Sequence, residues 1–152
     1  MAQAGKREPG TVQNRKATFD YEISEELEAG IVLAGSEVKS LFLGRANLTD
    51  AYCRVVAGEL WLYQLDIEPY EKASHYRVER RRERKLLAHK KQIELLRRQQ
   101  DEKGLSLVPL KVYFKRGKAK VVVGVGKGKK QYDKREAIKK KETRRELERE
   151  LG

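Results

Sequence analysis

The sequence predicts a mainly β fold with flanking helices: a small OB-like closed β-barrel of about six strands plus two or more helices, with a basic C-terminal tail. Three observations carry that expectation. Short apolar-alternating runs are separated by turn-like pairs, Ala57-Gly58 and Arg116-Gly117, where glycine supplies the positive φ of a tight hairpin. One long helix-forming stretch interrupts the strands, without the regular strand–helix alternation of a parallel sheet. Beyond Gly126 the chain has almost nothing to bury.

Residues 1–15 are polar and contain glycine and proline, so they are expected to form a flexible N-terminal segment. Phe19, Tyr21 and Ile23 alternate with polar residues, the period of a half-buried strand. Ser24 suits the cap of a short helix, with Glu25 and Glu26 in its first turn and Gly30 at its end. Ile31 to Leu43 reads as β-rich and bent near Gly35. Tyr52 to Val56 and Leu60 to Ile67 read as a hairpin, with Trp61, Tyr63 and Leu65 on one face and Pro69 as its stop. From Glu79 to Gln100 strong helix formers dominate, with Leu86, His89, Ile93 and Leu96 at helical spacing and Gly104 as the terminator. Leu105 to Lys115 and Lys118 to Val125 form a last strand pair, the first bulged or at an edge because of Pro109. The body is thus 16–126 and the tail 127–152.

The 152-residue chain carries 35 Lys+Arg against 23 Asp+Glu, a net charge of +12. Such a surplus attracts polyanions, because each neutralised phosphate releases condensed counterions. No apolar run approaches a membrane span, and the N-terminus lacks the apolar centre of a signal peptide, so no membrane association is expected. Cys53 is alone and fits a reducing cytoplasm. His75 and His89 stand apart with no partner at ligand spacing, which argues against a metal and for structural or surface roles. No nucleophile–base arrangement is defended by local sequence, so neither a catalytic residue nor a cofactor is expected.

Two segments point to nucleic acid. Gly124-Val125-Gly126-Lys127-Gly128-Lys129-Lys130 fails as a phosphate loop, since Val123 replaces the first glycine and Lys130 the Ser/Thr that would hold Mg²⁺. It reads either as a solvated linker or as a hinge to RNA. Tyr132 among Lys129, Lys130, Lys134 and Arg135 tilts the reading toward RNA, because an aromatic ring can stack a base while cations hold the backbone. The run Arg80-Arg81-Arg82-Glu83-Arg84-Lys85 reads as a solvated helix end or, by a slight preference, a phosphate-contacting surface. In the tail, 11 basic and 6 acidic residues give +5 with no continuous apolar stripe. A helix of that kind is marginal in water, so the tail is expected to be disordered when free and helical on RNA.

The chain resembles the SmpB family, the tmRNA-binding (SsrA-binding) proteins of bacterial trans-translation. The resemblance rests on Asn14-Arg15-Lys16-Ala17, Glu28-Ala29-Gly30, Gly35-Ser36-Glu37-Val38-Lys39-Ser40-Leu41, Ala46-Asn47-Leu48-Thr49-Asp50, Arg84-Lys85-Leu86-Leu87 and the glycine–lysine segment above. It implies an OB-like body that binds the tRNA-like domain of tmRNA. It also implies a tail that enters the decoding centre and mRNA channel of a stalled ribosome, against small-subunit RNA. The implied tmRNA-facing residues are Glu28, Leu87, His89 and Lys120, with Asn14, Arg15 and Lys16. Lys120 suits a phosphate, whereas acidic Glu28 suits a base, a sugar or a neighbouring arginine. Leu87 equally reads as core, and His89 stands where the family pattern has Asn. The implied decoding-centre residues are Gly128, Lys129, Lys130, Tyr132, Asp133, Lys134 and Arg135, with Tyr132 where many relatives have histidine. The tail could span about 80 Å extended or about 40 Å as a helix. A free monomer is expected. The alternative is a generic OB-fold RNA-binding or ribosomal protein without tmRNA specificity.

Overall fold

Period-two burial shapes the body. The computed structural model describes residues 10–70, 78–129 and 131–151. In chain order the elements are β1 (Val12–Gln13), α1 (Arg15–Asp20), β2 (Tyr21–Ile31), α2 (Gly35–Phe42), β3 (Ala46–Asn47), β4 (Tyr52–Val56) and β5 (Glu59–Tyr63). They continue with β6 (Asp66–Ile67), β7 (Arg84–Leu87), α3 (Lys90–Asp101), β8 (Ser106–Lys115), β9 (Lys118–Gly128) and α4 (Gln131–Leu151). Pairing runs β8–β4–β5–β7–β2–β9 and returns from β9 to β8, so the six strands form a ring, all antiparallel. Inside it lie Leu60, Leu62, Leu86, Val112, Val121, Val123 and Val125, each at most 1% exposed.

The ring is thinnest between β4 and β8, which share a single register pair, Cys53 with Leu107. Helix α3 closes that gap. Its Gln100 side chain donates to the Val55 carbonyl (3.1 Å) and accepts from the Val55 amide (2.8 Å), imitating the backbone of a missing strand. Leu96, 4% exposed, plugs the ring beneath it.

Four expectations change. Residues 10–15 are ordered: β1 pairs with β8, and buried Asn14 caps α1, its Oδ1 accepting from the Ala17 amide and its Nδ2 donating to the Pro109 carbonyl. The expected helix after Ser24 is strand β2. Glu25 and Glu26 are good helix formers, but β2 pairs with β9 along almost its whole length, and tertiary pairing outweighs weak propensity. Ser24 is instead the extra residue of a bulge, with its hydroxyl donating to the Val125 carbonyl at 3.2 Å. The expected bent strand over 31–43 contains helix α2, whose buried face is Glu37, Ser40 and Leu41. The expected helix from Glu79 begins only at Lys90, and Leu86 belongs to β7. His75 lies outside the described residues.

Other expectations hold. Ala57-Gly58 and Arg116-Gly117 turn with φ of 51° and 77°, and of 52° and 74°. At Pro109 the register of β8 against β9 slips, the expected bulge. In the β4–β5 hairpin Cys53, Val55, Leu60 and Leu62 are buried, while Trp61 and Tyr63 lie on the opposite face of β5. Leu65 is fully buried, not on the Trp61 face, because Gln64 at φ 61° breaks the alternation.

Gly124 and Gly126 are strand residues within β9 rather than a hinge. A Cβ on Gly124 would lie 2.9 Å from Leu110 Cδ1, a side chain able to turn aside, whereas one on Gly126 would lie 2.8 Å from the Glu22 carbonyl oxygen, which is backbone. Gly126→Ala should therefore lower stability by about 1–3 kcal/mol and Gly124→Ala by clearly less, as measured by urea unfolding.

Arg82 and Arg84, just ahead of and within β7, converge on one buried carboxylate. Glu37 is 4% exposed and Arg84 fully buried. Arg84 donates to Glu37 through Nε (2.8 Å) and Nη2, to the Leu65 carbonyl (2.6 Å) and to the Arg80 carbonyl (2.9 Å). Arg82 donates to the other Glu37 oxygen at 2.5 Å, and the Ala34 amide donates to it at 3.0 Å. Burial pushes the Glu37 carboxyl up, but the hydrogen bonds from Arg82, Ala34 and Arg84 outweigh it and hold the group below its ordinary 4.5. With the folded value below the unfolded one, this stabilisation is present above about pH 4.5 and is lost as pH falls through the folded value. Glu37→Gln should cost about 3–5 kcal/mol at pH 7, since it leaves Arg84 buried without a counter-charge. Denaturant unfolding at pH 7 and pH 3 should show a smaller loss between the two for the variant than for the native chain.

Candidate nucleic-acid interface

The bulge at Pro109 rephases β8, so that Val112 turns into the core while Lys111, Tyr113 and Lys115 point outward. Across the hairpin, Lys118 and Lys120 face the same way. Register then fixes the neighbours. One row crosses four strands: Leu87 on β7 beside Gly30 on β2, Gly30 beside Lys120 on β9, and Lys120 beside Tyr113 on β8. The next row runs from Glu28 through Val122 to Lys111. Glu28, Leu87 and Lys120, distant in sequence, thus meet on one outer face.

Leu87 is 55% exposed and is not core. It leans across Gly30, whose added Cβ would sit 3.4 Å from that of Leu87. His89, two residues on, is exposed and caps α3, its backbone amide donating to Gln92 at 3.1 Å. Arg15 and Lys16 are exposed at the start of α1, while Asn14 is buried with its amide engaged in the cap. A groove of about 600 Å³ runs beside the face, lined among others by Arg15, Glu26, Lys111, Tyr113 and Val122, with Lys141 of α4 at its rim.

Glu28 is held within this face. Tyr113 Oη donates to Glu28 Oε2, and Lys115 Nζ lies 3.5 Å from Glu28 Oε1. Lys111 Nζ lies 5.1 Å from the centre of the Tyr113 ring. Tyr113, Lys111 and Lys115 were not singled out from sequence, although Lys111-x-Tyr113-x-Lys115 carries the period-two signal of a strand's outer face.

The arginine run does not join this surface. Arg82 and Arg84 are turned onto Glu37, Arg80 onto Asp66 (2.9 Å), Arg81 toward Asp50 and Asp66, and Lys85 onto Glu59 (3.2 Å). Arg82 and Arg84 form an internal latch, while Arg80, Arg81 and Lys85 stay about half exposed but face carboxylates. Of the tail residues, Gly128 ends β9 opposite Tyr21, and Lys129 is tied to α1 through its amide to the Asp20 carbonyl (2.8 Å) and its Nζ to the Thr18 carbonyl (3.2 Å). Arg135 is exposed on α4. Lys130 lies outside the described residues, as do the side chains of Tyr132, Asp133 and Lys134. Among the described residues no cluster of His, Cys, Asp and Glu could hold a metal, and no helix is long and apolar enough to cross a membrane.

A ring of antiparallel strands with a lysine-rich outer face and a basic helical extension defines a β protein built to bind a polyanion. The family model for SmpB protein matches residues 11–152. The chain is 53% identical over 138 residues to the SsrA-binding protein of Syntrophotalea carbinolica, covering 91% of this chain and 92% of that one. It is 53% identical over 139 residues to the SsrA-binding protein of Carboxydothermus hydrogenoformans, covering 91% and 93%. A solved chain described under "tmRNA-SmpB: a journey to the center of the bacterial ribosome" matches with TM-score 0.68 and 48% identity, over 85% of this chain and 94% of that one. This chain belongs to the SmpB family.

Because Leu87 is largely exposed, Leu87→Ser should change unfolding free energy by no more than about 0.5 kcal/mol, where a core leucine would cost about 2–5 kcal/mol. Chemical unfolding of the two chains distinguishes these outcomes.

Proposed function

We propose that this chain is a non-catalytic adaptor that binds the tRNA-like domain of tmRNA and delivers it to stalled ribosomes in the bacterial cytoplasm, for rescue and tagging of incomplete proteins. The observation that carries the reading is the shared outer face. Glu28, Leu87 and Lys120 converge there by strand register, in a chain about half identical to proteins named SsrA-binding protein. The face combines cations for phosphates with an exposed apolar side chain and an aromatic ring, the mixture that grips unstacked or looped RNA. Arg15 and Lys16 extend its charge along α1, and His89 lies exposed just past Leu87.

The tail has the second task. Every described side chain of α4 is exposed, and Arg144 pairs with Glu148 within the helix (3.6 Å). Such a pair supports a helix by about 0.2–0.5 kcal/mol, so α4 gains a fixed place only against a partner. On this reading it is disordered or frayed in the free monomer and becomes ordered in the decoding centre and mRNA channel. Gly128, Lys129, Lys130, Tyr132, Asp133, Lys134 and Arg135 then face small-subunit RNA, with Tyr132 stacking a base.

The test separates the two tasks. Lys120→Ala should weaken binding to the tRNA-like domain and reduce the slope of log K against log salt by about one unit. Deletion after Gly128, or Tyr132→Ala, should leave that binding within twofold yet stop tagging on ribosomes stalled without a stop codon. Loss of tmRNA binding on deleting the tail would overturn the division of labour. Equal affinity for the tRNA-like domain and an unrelated hairpin of the same length, across a salt series, would favour the generic RNA-binding alternative.

A further inference from the structure

Glu28 is an acidic residue, as is Glu26 two positions before it on the same side of β2, on a surface otherwise rich in lysine. Both Glu28 carboxylate oxygens are already engaged, Oε2 by the Tyr113 hydroxyl and Oε1 by the Lys115 ammonium at 3.5 Å. The Tyr113 hydroxyl thus takes one acceptor position of the carboxylate, and the Lys115 ammonium lies beside the other oxygen. What the carboxylate does is fix the Tyr113 ring at one orientation on the sheet.

That ring has the position and surroundings of a stacking platform. It stands next to Lys120 in the row that also holds Leu87, and it forms one wall of the groove of about 600 Å³ that Arg15 and Lys111 also line. Lys111 Nζ lies 5.1 Å from the ring centre, so the ring is within reach of an approaching cation or flat group. A base entering the groove can take that place, while Lys111 swings to the phosphate beside it. Tyrosine has two side-chain torsions to restrain, and its hydroxyl anchor removes much of that freedom before RNA arrives.

The structure assigns Tyr113 as a base-stacking residue of the tmRNA-binding face and Glu28 as the positioning residue that holds it, with Lys111 and Lys115 as its phosphate-seeking flanks. The ligand is an unstacked nucleotide of the bound RNA. This assignment rests on the function proposed above.

The experiment is binding of the full chain to the isolated tRNA-like domain and to an unrelated hairpin of equal length. Tyr113→Ala should bind the tRNA-like domain about 5- to 150-fold more weakly with an unchanged salt slope, since stacking rather than charge is removed. Tyr113→Phe keeps the ring and should lose only a few-fold. Glu28→Gln retains an acceptor for the phenol and should bind within twofold of the native chain, whereas Glu28→Ala should match Tyr113→Phe. In a Tyr113→Ala background, Glu28→Ala should add nothing.

Native preference for the tRNA-like domain, with Tyr113→Ala still within twofold of it, would overturn this assignment alone. So would a Glu28→Ala loss that persists undiminished in the Tyr113→Ala background, since Glu28 would then contact RNA itself. Absence of any preference in the native chain would overturn the proposed function. Unfolding midpoints equal to the native chain's should accompany each variant. The Tyr113→Phe and Glu28→Gln pair keeps the comparison decisive if Tyr113→Ala is less stable.

Discussion

The body depends on a buried charge that almost every neighbouring element helps to satisfy. Glu37 receives Arg84 and Arg82 from the strand side and the Ala34 amide from its own helix turn. Arg84 in turn closes the Leu65, Arg80 and Arg82 carbonyls. Desolvating two ions costs several kcal/mol each, and only such full partnering offsets it. The arrangement fixes Arg80, Arg82 and Arg84 against α2 and the end of β5 although the residues around them offer little apolar surface. It also explains how α2 stays docked while burying Glu37 beside Leu41.

The latch has a consequence for the surface. A chain with net charge +12 has many ways to face a polyanion, and a contiguous arginine run is the most conspicuous of them. Here Arg82 and Arg84 are withdrawn to Glu37, and Arg80 pairs with Asp66. Strand alternation throws other cations outward on β8 and β9, namely Lys111, Lys115, Lys118 and Lys120. The bulge at Pro109 sets that phase, because a one-residue slip exchanges the two faces of a strand. Packing against Leu110 and the Glu22 carbonyl explains the glycines at 124 and 126, which sequence alone suggested were a hinge.

Four of the ring's strands (β4, β5, β8 and β9), the hairpin turns and the β8 bulge were legible in the sequence, because each is written in local chemistry. Alternating Val121, Val123 and Val125, the turn pairs at 57–58 and 116–117, and Pro109 all act over a few residues. The readings at 24–30, 31–43 and 79–89 failed for one shared reason. Each depended on a partner far along the chain: β9 for Glu25 and Glu26, Arg84 for Glu37, and β2 and β5 for Leu86. Of the interface, Lys120 and Glu28 were reachable through family resemblance, while Tyr113 was not, since its importance lies in what stands beside it.

By itself the sequence determined a mainly β, strongly basic protein of this family with an extension that cannot bury itself, because composition, periodicity and family blocks are properties of the chain. Only the tertiary structure decided which cations remain outside, which strand faces carry them, and that Glu28, Leu87, Lys120 and Tyr113 are neighbours. Register between distant strands sets those relations. No local free energy encodes register until the strands meet.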